Sequence, residues 1–156
     1  MKTILILVGK TNDKHFLAGI NDYVDRISHY MPFELITIPE LKNTKSLSEE
    51  QQKTAEGELI LKQIQNSDTV VLLDEHGKEY RSIEFAKWLE QKRNTARRLV
   101  FVVGGPYGFS PEVYARANEQ LSLSKMTFSH QMIRLVFTEQ IYRACTIIKG
   151  EPYHHE

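Results

Sequence analysis

Leu99-Val100-Phe101-Val102-Val103-Gly104-Gly105-Pro106-Tyr107-Gly108 reads as a buried strand running straight into a glycine turn, because a short apolar run bounded by turn residues is the signature of a sheet core. Downstream lies Leu121-Ser122-Leu123-Ser124-Lys125-Met126-Thr127-Phe128-Ser129-His130-Gln131, a short alternating segment over 120–124 followed by a polar loop without a glycine. A long amphipathic helix follows. In an α/β protein the loops leaving the carboxyl ends of neighbouring strands are where a ligand sits. These two loops are therefore the first candidates for a site.

Outward from that core the chain alternates strand and helix. The β-branched, leucine-rich run 3–8 is a strand, and Gly9-Lys10-Thr11-Asn12-Asp13 separates it from a helix over about 14–29 with Phe16, Ile20, Tyr23, Val24 and Ile27 on one stripe. Residues 33–38 form a second strand between Pro32 and Pro39. Ser46 or Ser48 caps a charged helix to about residue 65, whose apolar positions are few: Ala55, Leu59, Ile60 and Ile64. The third strand is expected over 69–74, and Gly77 is expected to centre a turn over 75–81. Ser82 then caps a helix to about residue 94, and 97–103 is the fourth strand. Ser110 and Pro111 start a short helix to about residue 118, and the last helix covers about 130–149, stopped by Gly150 and Pro152. The pattern predicts one α/β domain over 1–156, with a mostly parallel sheet of five to six strands covered by helices on both faces. Connection rules alone point to an ordinary doubly wound sheet without a knot.

Charged residues at 26% and hydrophobic residues at 41% exclude a disordered or membrane-spanning chain. The apolar run 4–8 is too short for a signal-peptide core and is followed by Lys10, so no export signal is expected. Cys145 is the single cysteine, which rules out an intrachain disulfide and fits a cytoplasmic location. The formal net charge is zero but unevenly spread. Residues 1–80 hold nine Lys and Arg against thirteen Asp and Glu, whereas residues 81–150 hold eleven against five. An anionic partner is thus expected to approach the second half.

The glycine turn does not carry the dinucleotide fingerprint, since Val103 and Pro106 break the G-x-G-x-x-G spacing, and no phosphate-loop lysine follows. Two glycines directly after a buried strand are expected to let a flat ligand approach the backbone closely. By position alone His130 is a helix cap or an exposed residue as readily as a catalyst. The six histidines, at 15, 29, 76, 130, 154 and 155, form no ligand spacing with cysteine or carboxylates, so no metal is expected.

At this point the sequence resembles a known family. The run 121–134, Glu139-Gln140-Ile141-Tyr142-Arg143-Ala144, the ending Pro152-Tyr153-His154, Val102-Val103-Gly104-Gly105-Pro106-Tyr107-Gly108, Val8-Gly9-Lys10 and Leu73-Asp74-Glu75-His76-Gly77-Lys78 agree in order and spacing with the ribosomal large-subunit pseudouridine N3-methyltransferase family of the SPOUT, or α/β-knot, class. The similarity covers essentially the whole chain. It implies a C-terminal trefoil knot, a homodimer with sites at the subunit interface, and S-adenosylmethionine as methyl donor. By resemblance the donor is held at Leu73, Gly104, Gly105, Leu123, Ser124, Lys125, Met126, Thr127 and Phe128. The acceptor is a pseudouridine in a hairpin of 23S rRNA, and His130, Arg134, Tyr153 and His154 are implied at the acceptor end.

Methyl transfer from a sulfonium is an in-line displacement that needs the acceptor held about 3–3.5 Å from the carbon. An imide nitrogen must also lose its proton, a task for which His130 or His154 is suited. Arg134 is expected to contact phosphate or to stabilise charge on the uracil ring. Relatives often carry Arg or Lys where this chain has His155, which weakens any phosphate contact of the tail. A neutral monomer is a poor nucleic-acid binder, so the large subunit or ribosome is the expected partner, with Lys92, Arg93, Arg97, Arg98, Arg116 and Lys125 concentrated in a dimer. Other open readings are a knotted methyltransferase acting on tRNA or another rRNA position, and a non-catalytic ribosome-associated dimer.

Overall fold

The computed structural model describes residues 1–155. Five strands, β1 (Lys2–Val8), β2 (Phe33–Ile38), β3 (Thr69–Glu79), β4 (Arg98–Val103) and β5 (Glu119–Ser122), form one sheet in the order β2-β1-β4-β3-β5. Every neighbouring pair is parallel. Between them run α1 (Lys14–Ser28), α2 (Glu49–Lys62), α3 (Ser82–Thr95) and α4 (Pro111–Arg116), and α5 (Met132–Lys149) closes the chain.

Alternation along the strands divides the core in two. Leu5, Leu7, Val71, Leu73, Leu99, Phe101 and Val103 point to the face covered by α1, α3 and α5. Ile4, Ile6, Val8, Val70, Leu72, Val100 and Val102 point to the face where Ile60 of α2 and Val113 of α4 pack. Central β4 has Leu99 to Val102 wholly buried, which explains its unbroken apolar run. On the first face Phe101 meets Phe137 of α5 edge-on at 4.9 Å, so the last helix is anchored at mid-sheet between α1 and α3.

Local chemistry sets the helix ends. Asp13 accepts from the main-chain N–H groups of His15 and Phe16, Ser48 and Gln51 form a reciprocal capping box, and Ser110 precedes Pro111 at the start of α4. The cap of α3 is Arg81, one residue before the expected Ser82, with Glu84 accepting from the Arg81 N–H at 2.8 Å. Gly150, at φ 76°, ends α5. The buried side of α2 keeps Ile60 of the expected stripe, with Leu59 and Ile64 partly buried against the core, and adds Glu56 and Gly57.

Residues 75–79 of the expected turn over 75–81 are instead strand. β3 continues to Glu79, and Leu73 and Lys78 both pair with Leu121, so residues 74–77 form a bulge. Gly77 serves close approach here, because a Cβ would stand 2.6 Å from the Gln120 carbonyl carbon and the Leu121 nitrogen. The sequence offered no alternation across this polar segment from which to extend the strand. Among the described residues no helix is long and apolar enough to cross a membrane.

Candidate active site

The carboxyl ends of β3, β4 and β5 open into a cleft of about 550 Å³. One wall is the β3 bulge, Asp74, Glu75 and His76; a second is the turn 103–109 with Tyr114 of α4; the third is the loop after β5, with Leu123, Ser124, Met126, Thr127, Phe128, Ser129 and His130. Asp74 ties two walls together, since its Oδ1 accepts the His76 N–H at 2.8 Å and the Tyr114 hydroxyl donates to its Oδ2. Burial, reinforced by that carboxylate, pushes the Tyr114 phenol well above its ordinary range. Among the described residues the lining contains Asp74, Glu75, His76 and His130 but no Lys or Arg.

Gly104 and Gly105 line the cleft, and both are also tightly packed against the protein. A Cβ on Gly104 would stand 2.9 Å from the Phe109 ring, and one on Gly105 would stand 2.8 Å from Glu56 Oε1. The missing side chains let the turn pack closely against Phe109 and Glu56.

The loop after β5 is held by short-range bonds. Ser122 Oγ donates to the Ser124 carbonyl at 2.9 Å, Ser124 Oγ accepts the Met126 N–H at 3.0 Å, and Ser129 Oγ accepts the Met132 N–H at 3.0 Å. Below it lies Arg134, which has no exposed surface. Its Nε donates to the His130 carbonyl at 2.9 Å, Nη1 to the Gly9 carbonyl at 2.8 Å and Thr11 Oγ1 at 3.0 Å, and Nη2 to the Val8 carbonyl at 2.8 Å. Gln131 adds a second tie, accepting the Asn12 N–H at 2.8 Å and donating to the Lys10 carbonyl at 3.3 Å. His130 is thereby fastened to the end of β1. Burial, and then repulsion from Arg134, lower the His130 pKa despite an opposing pull from Glu40, which favours the neutral imidazole at pH 7.

Tyr153 and His154 stand elsewhere. The Tyr153 hydroxyl donates to Glu139 Oε1 at 3.1 Å, its ring meets Tyr142 edge-on at 4.8 Å, and the Arg143 guanidinium lies over it. His154 Nδ1 is 3.0 Å from Arg143 Nη1. Arg143 lies eleven residues along α5 from Met132, or about 16 Å at the helical rise per residue. Neither tail residue lines the cleft of its own chain.

Comparison with known proteins places this arrangement. A family described as "Predicted SPOUT methyltransferase" matches residues 1–154. The chain belongs to the SPOUT methyltransferase family. It is similar to proteins named ribosomal RNA large subunit methyltransferase H from Bacteroides fragilis, at 64% identity, and Phocaeicola vulgatus, at 62%, with the whole of both chains covered in each case. The same name belongs to a relative in Porphyromonas gingivalis that is 55% identical over the full length.

For a SPOUT methyltransferase the placement of the expected residues is informative. Leu73, Gly104, Gly105, Leu123, Ser124, Met126, Thr127 and Phe128 come together around the cleft, and Lys125 stands outside the lining. His130 lies at its rim, while Arg134 is sealed beneath it and has no surface to offer a phosphate. Asp74 and Tyr114 were not singled out by sequence reasoning. Their pairing spans forty residues and leaves no spacing signal. Three of the six basic residues expected to gather for RNA are committed elsewhere: Lys92 pairs with Glu119, Arg98 Nε lies 2.9 Å from Asp68 Oδ1, and Arg116 donates to the carbonyls of Gln65 and Asp68. Arg97 and Arg98 also stand at the amino end of β4, opposite the cleft. Among the described residues no group of three or more His, Cys, Asp or Glu is placed to hold a metal.

Proposed function

We propose that this methyltransferase transfers a methyl group from S-adenosylmethionine to N3 of a pseudouridine in a hairpin of 23S rRNA, acting on the assembled large subunit or ribosome in the cytoplasm. The observation that carries the reading is the charge of the cleft: a nucleoside-sized space whose charged side chains are the carboxylates of Asp74 and Glu75, with two histidines and no Lys or Arg. Such a lining suits a cationic nucleoside and repels the polyphosphates of common dinucleotides and nucleotides. The residues present therefore fit the donor. When bound, that donor supplies an electrophilic methyl group on a sulfonium.

Leu73, Gly104, Gly105 and the loop from Leu123 to Phe128 hold the nucleoside, largely through the main chain, and Asp74 attracts its positive end. Phe109 and Leu121 exclude water from the inner wall. His130 stands at the rim with a free-base imidazole and accepts the N3 proton as the ring nitrogen becomes nucleophilic. Arg134 positions His130 through its carbonyl and does not itself meet the substrate.

Tyr153 and His154 enter through a homodimer in which each tail completes the cleft of the other copy. Their distance from the cleft of their own chain supports that arrangement. The trefoil-knotted path belongs to the same proposal. It is supported by a chain that leaves β5 at the sheet edge and returns to mid-sheet as α5. The names of the relatives support ribosomal RNA as the substrate class.

The test is to incubate purified protein, radiolabelled donor and ribosomes from cells lacking the activity, and then to map the labelled nucleotide. Label at one pseudouridine of the large-subunit RNA is expected. Label on tRNA, on another position, or nowhere overturns the substrate assignment.

A further inference from the structure

Behind the glycine turn lies a carboxylate that methyl transfer leaves unused. Glu56 of α2 is only 7% exposed. Gln52 Nε2 donates to its Oε2 at 3.2 Å, and among the described residues its Oε1 has no donor. Buried Asp68 differs, since the Arg98 guanidinium faces it. Burial without a cation pushes the Glu56 carboxyl up, with only the Gln52 bond opposing. An apolar residue at this place would pack at lower cost, so the oxygen calls for an explanation in terms of something it receives.

What it faces is the back of the turn. A Cβ on Gly105 would stand 2.8 Å from Oε1 and 3.0 Å from Oε2, so the carboxylate is pressed against the Gly105 main chain. The front of the same turn lines the cleft. A trans peptide holds its N–H and C=O on opposite sides of one plane. Turning the peptide between Gly104 and Gly105 so that its N–H points back at Glu56 must therefore point its carbonyl forward. That rotation changes only the inner torsions of two glycines, the residues that permit it at least steric cost.

We infer that Glu56 is a positioning residue for methyl-donor binding: its Oε1 receives the Gly105 N–H when the donor seats, and the Gly104 carbonyl thereby turns into the cleft to accept an N–H of the donor's aminopurine. The inference rests on the donor assignment above and adds the element that fixes the turn. Glu56 acts through the peptide and never touches the nucleoside.

Calorimetry of S-adenosylmethionine and S-adenosylhomocysteine binding to the full-length wild type, Glu56→Leu and Glu56→Gln tests it, with the amide signal of Gly105 followed by NMR. Leucine is close in size but accepts nothing. The Leu variant is expected to be at least as stable as wild type yet to bind the donor about tenfold or more weakly. Glutamine keeps an acceptor oxygen and is expected to stay within about threefold of wild type. The Gly105 amide should gain exchange protection on donor binding in wild type and in the Gln variant. Equal donor affinity in wild type and Glu56→Leu, or an unprotected Gly105 amide in saturated wild type, overturns the inference. Should Glu56→Leu fail to fold, the Gln variant and the amide signal decide the matter alone. Wild type that binds no donor overturns the donor assignment and this inference together, whereas equal binding by wild type and Leu variant overturns only the latter.

Discussion

Replacing Arg134 tests how the rim of the cleft is held. Its guanidinium makes four hydrogen bonds, to the carbonyls of Val8, Gly9 and His130 and to Thr11 Oγ1. At about 1.5–3 kcal/mol for a bond from a charged group, the gross interaction is roughly 6–12 kcal/mol. Desolvation of the guanidinium offsets much of it, and burial correspondingly lowers the Arg134 pKa. Arg134→Met keeps the side-chain bulk but leaves buried carbonyls without donors, so a net loss of about 3–5 kcal/mol is expected. Arg134→Lys keeps the charge, but a single ammonium cannot reach acceptors spread from the end of β1 to His130, and it should recover less than half of that loss.

Urea unfolding gives the stability, and single-turnover methylation of ribosomes gives the functional cost. Turnover should fall about 10²-fold in the folded fraction, because freeing the His130 carbonyl displaces the base by ångströms. A variant with wild-type stability, whose only defect is weaker ribosome binding with a salt slope reduced by about one contact, refutes the reasoning. That outcome would return Arg134 to the surface role the sequence suggested.

Other predictions concern individual residues. Single-turnover rate should rise with pH to a plateau, with a midpoint below the ordinary histidine value of about 6.5, and His130→Ala should remove the limb while leaving donor affinity nearly intact. Because the unfolded chain binds that proton more tightly than the folded one, His130 also makes stability rise with pH between the lowered folded pKa and about 6.5, which urea midpoints across this range will show. Gly77→Ala should force β3 from β5, since the new Cβ meets main-chain atoms at 2.6 Å, and should lower the melting temperature by roughly 3–10 °C in a thermal scan. Cys145, buried and with its thiol pushed up to about 11, should resist a thiol-specific reagent in native protein at pH 8 and titrate fully after denaturation.

Much of the fold was legible because hydrophobic period reports burial directly. The runs at β1 and β4 are apolar on both faces because helices cover both faces, and the caps at Ser48 and Ser110 are local hydrogen bonds written within three residues. The bulge at 74–77 was not legible, because the strand resumes beyond it only through the pairing of Lys78 and Glu79 with β5 some forty positions away. The site was legible as two loops but not as a set of roles. Arg134 looks the same in sequence whether it meets phosphate or Val8.

By itself, then, the chain's own order of residues determined the alternation of strands and helices, the parallel sheet and the loops at its carboxyl edge, because these follow from short-range periodicity and capping. Only the folded structure decided which charges face the cleft and which serve as internal staples. Asp74 reaches Tyr114, Arg98 reaches Asp68, and Arg134 reaches the end of β1 across 126 residues. Those partnerships arise when distant segments meet, and no local pattern encodes the desolvation that separates a buried cation from one left in water.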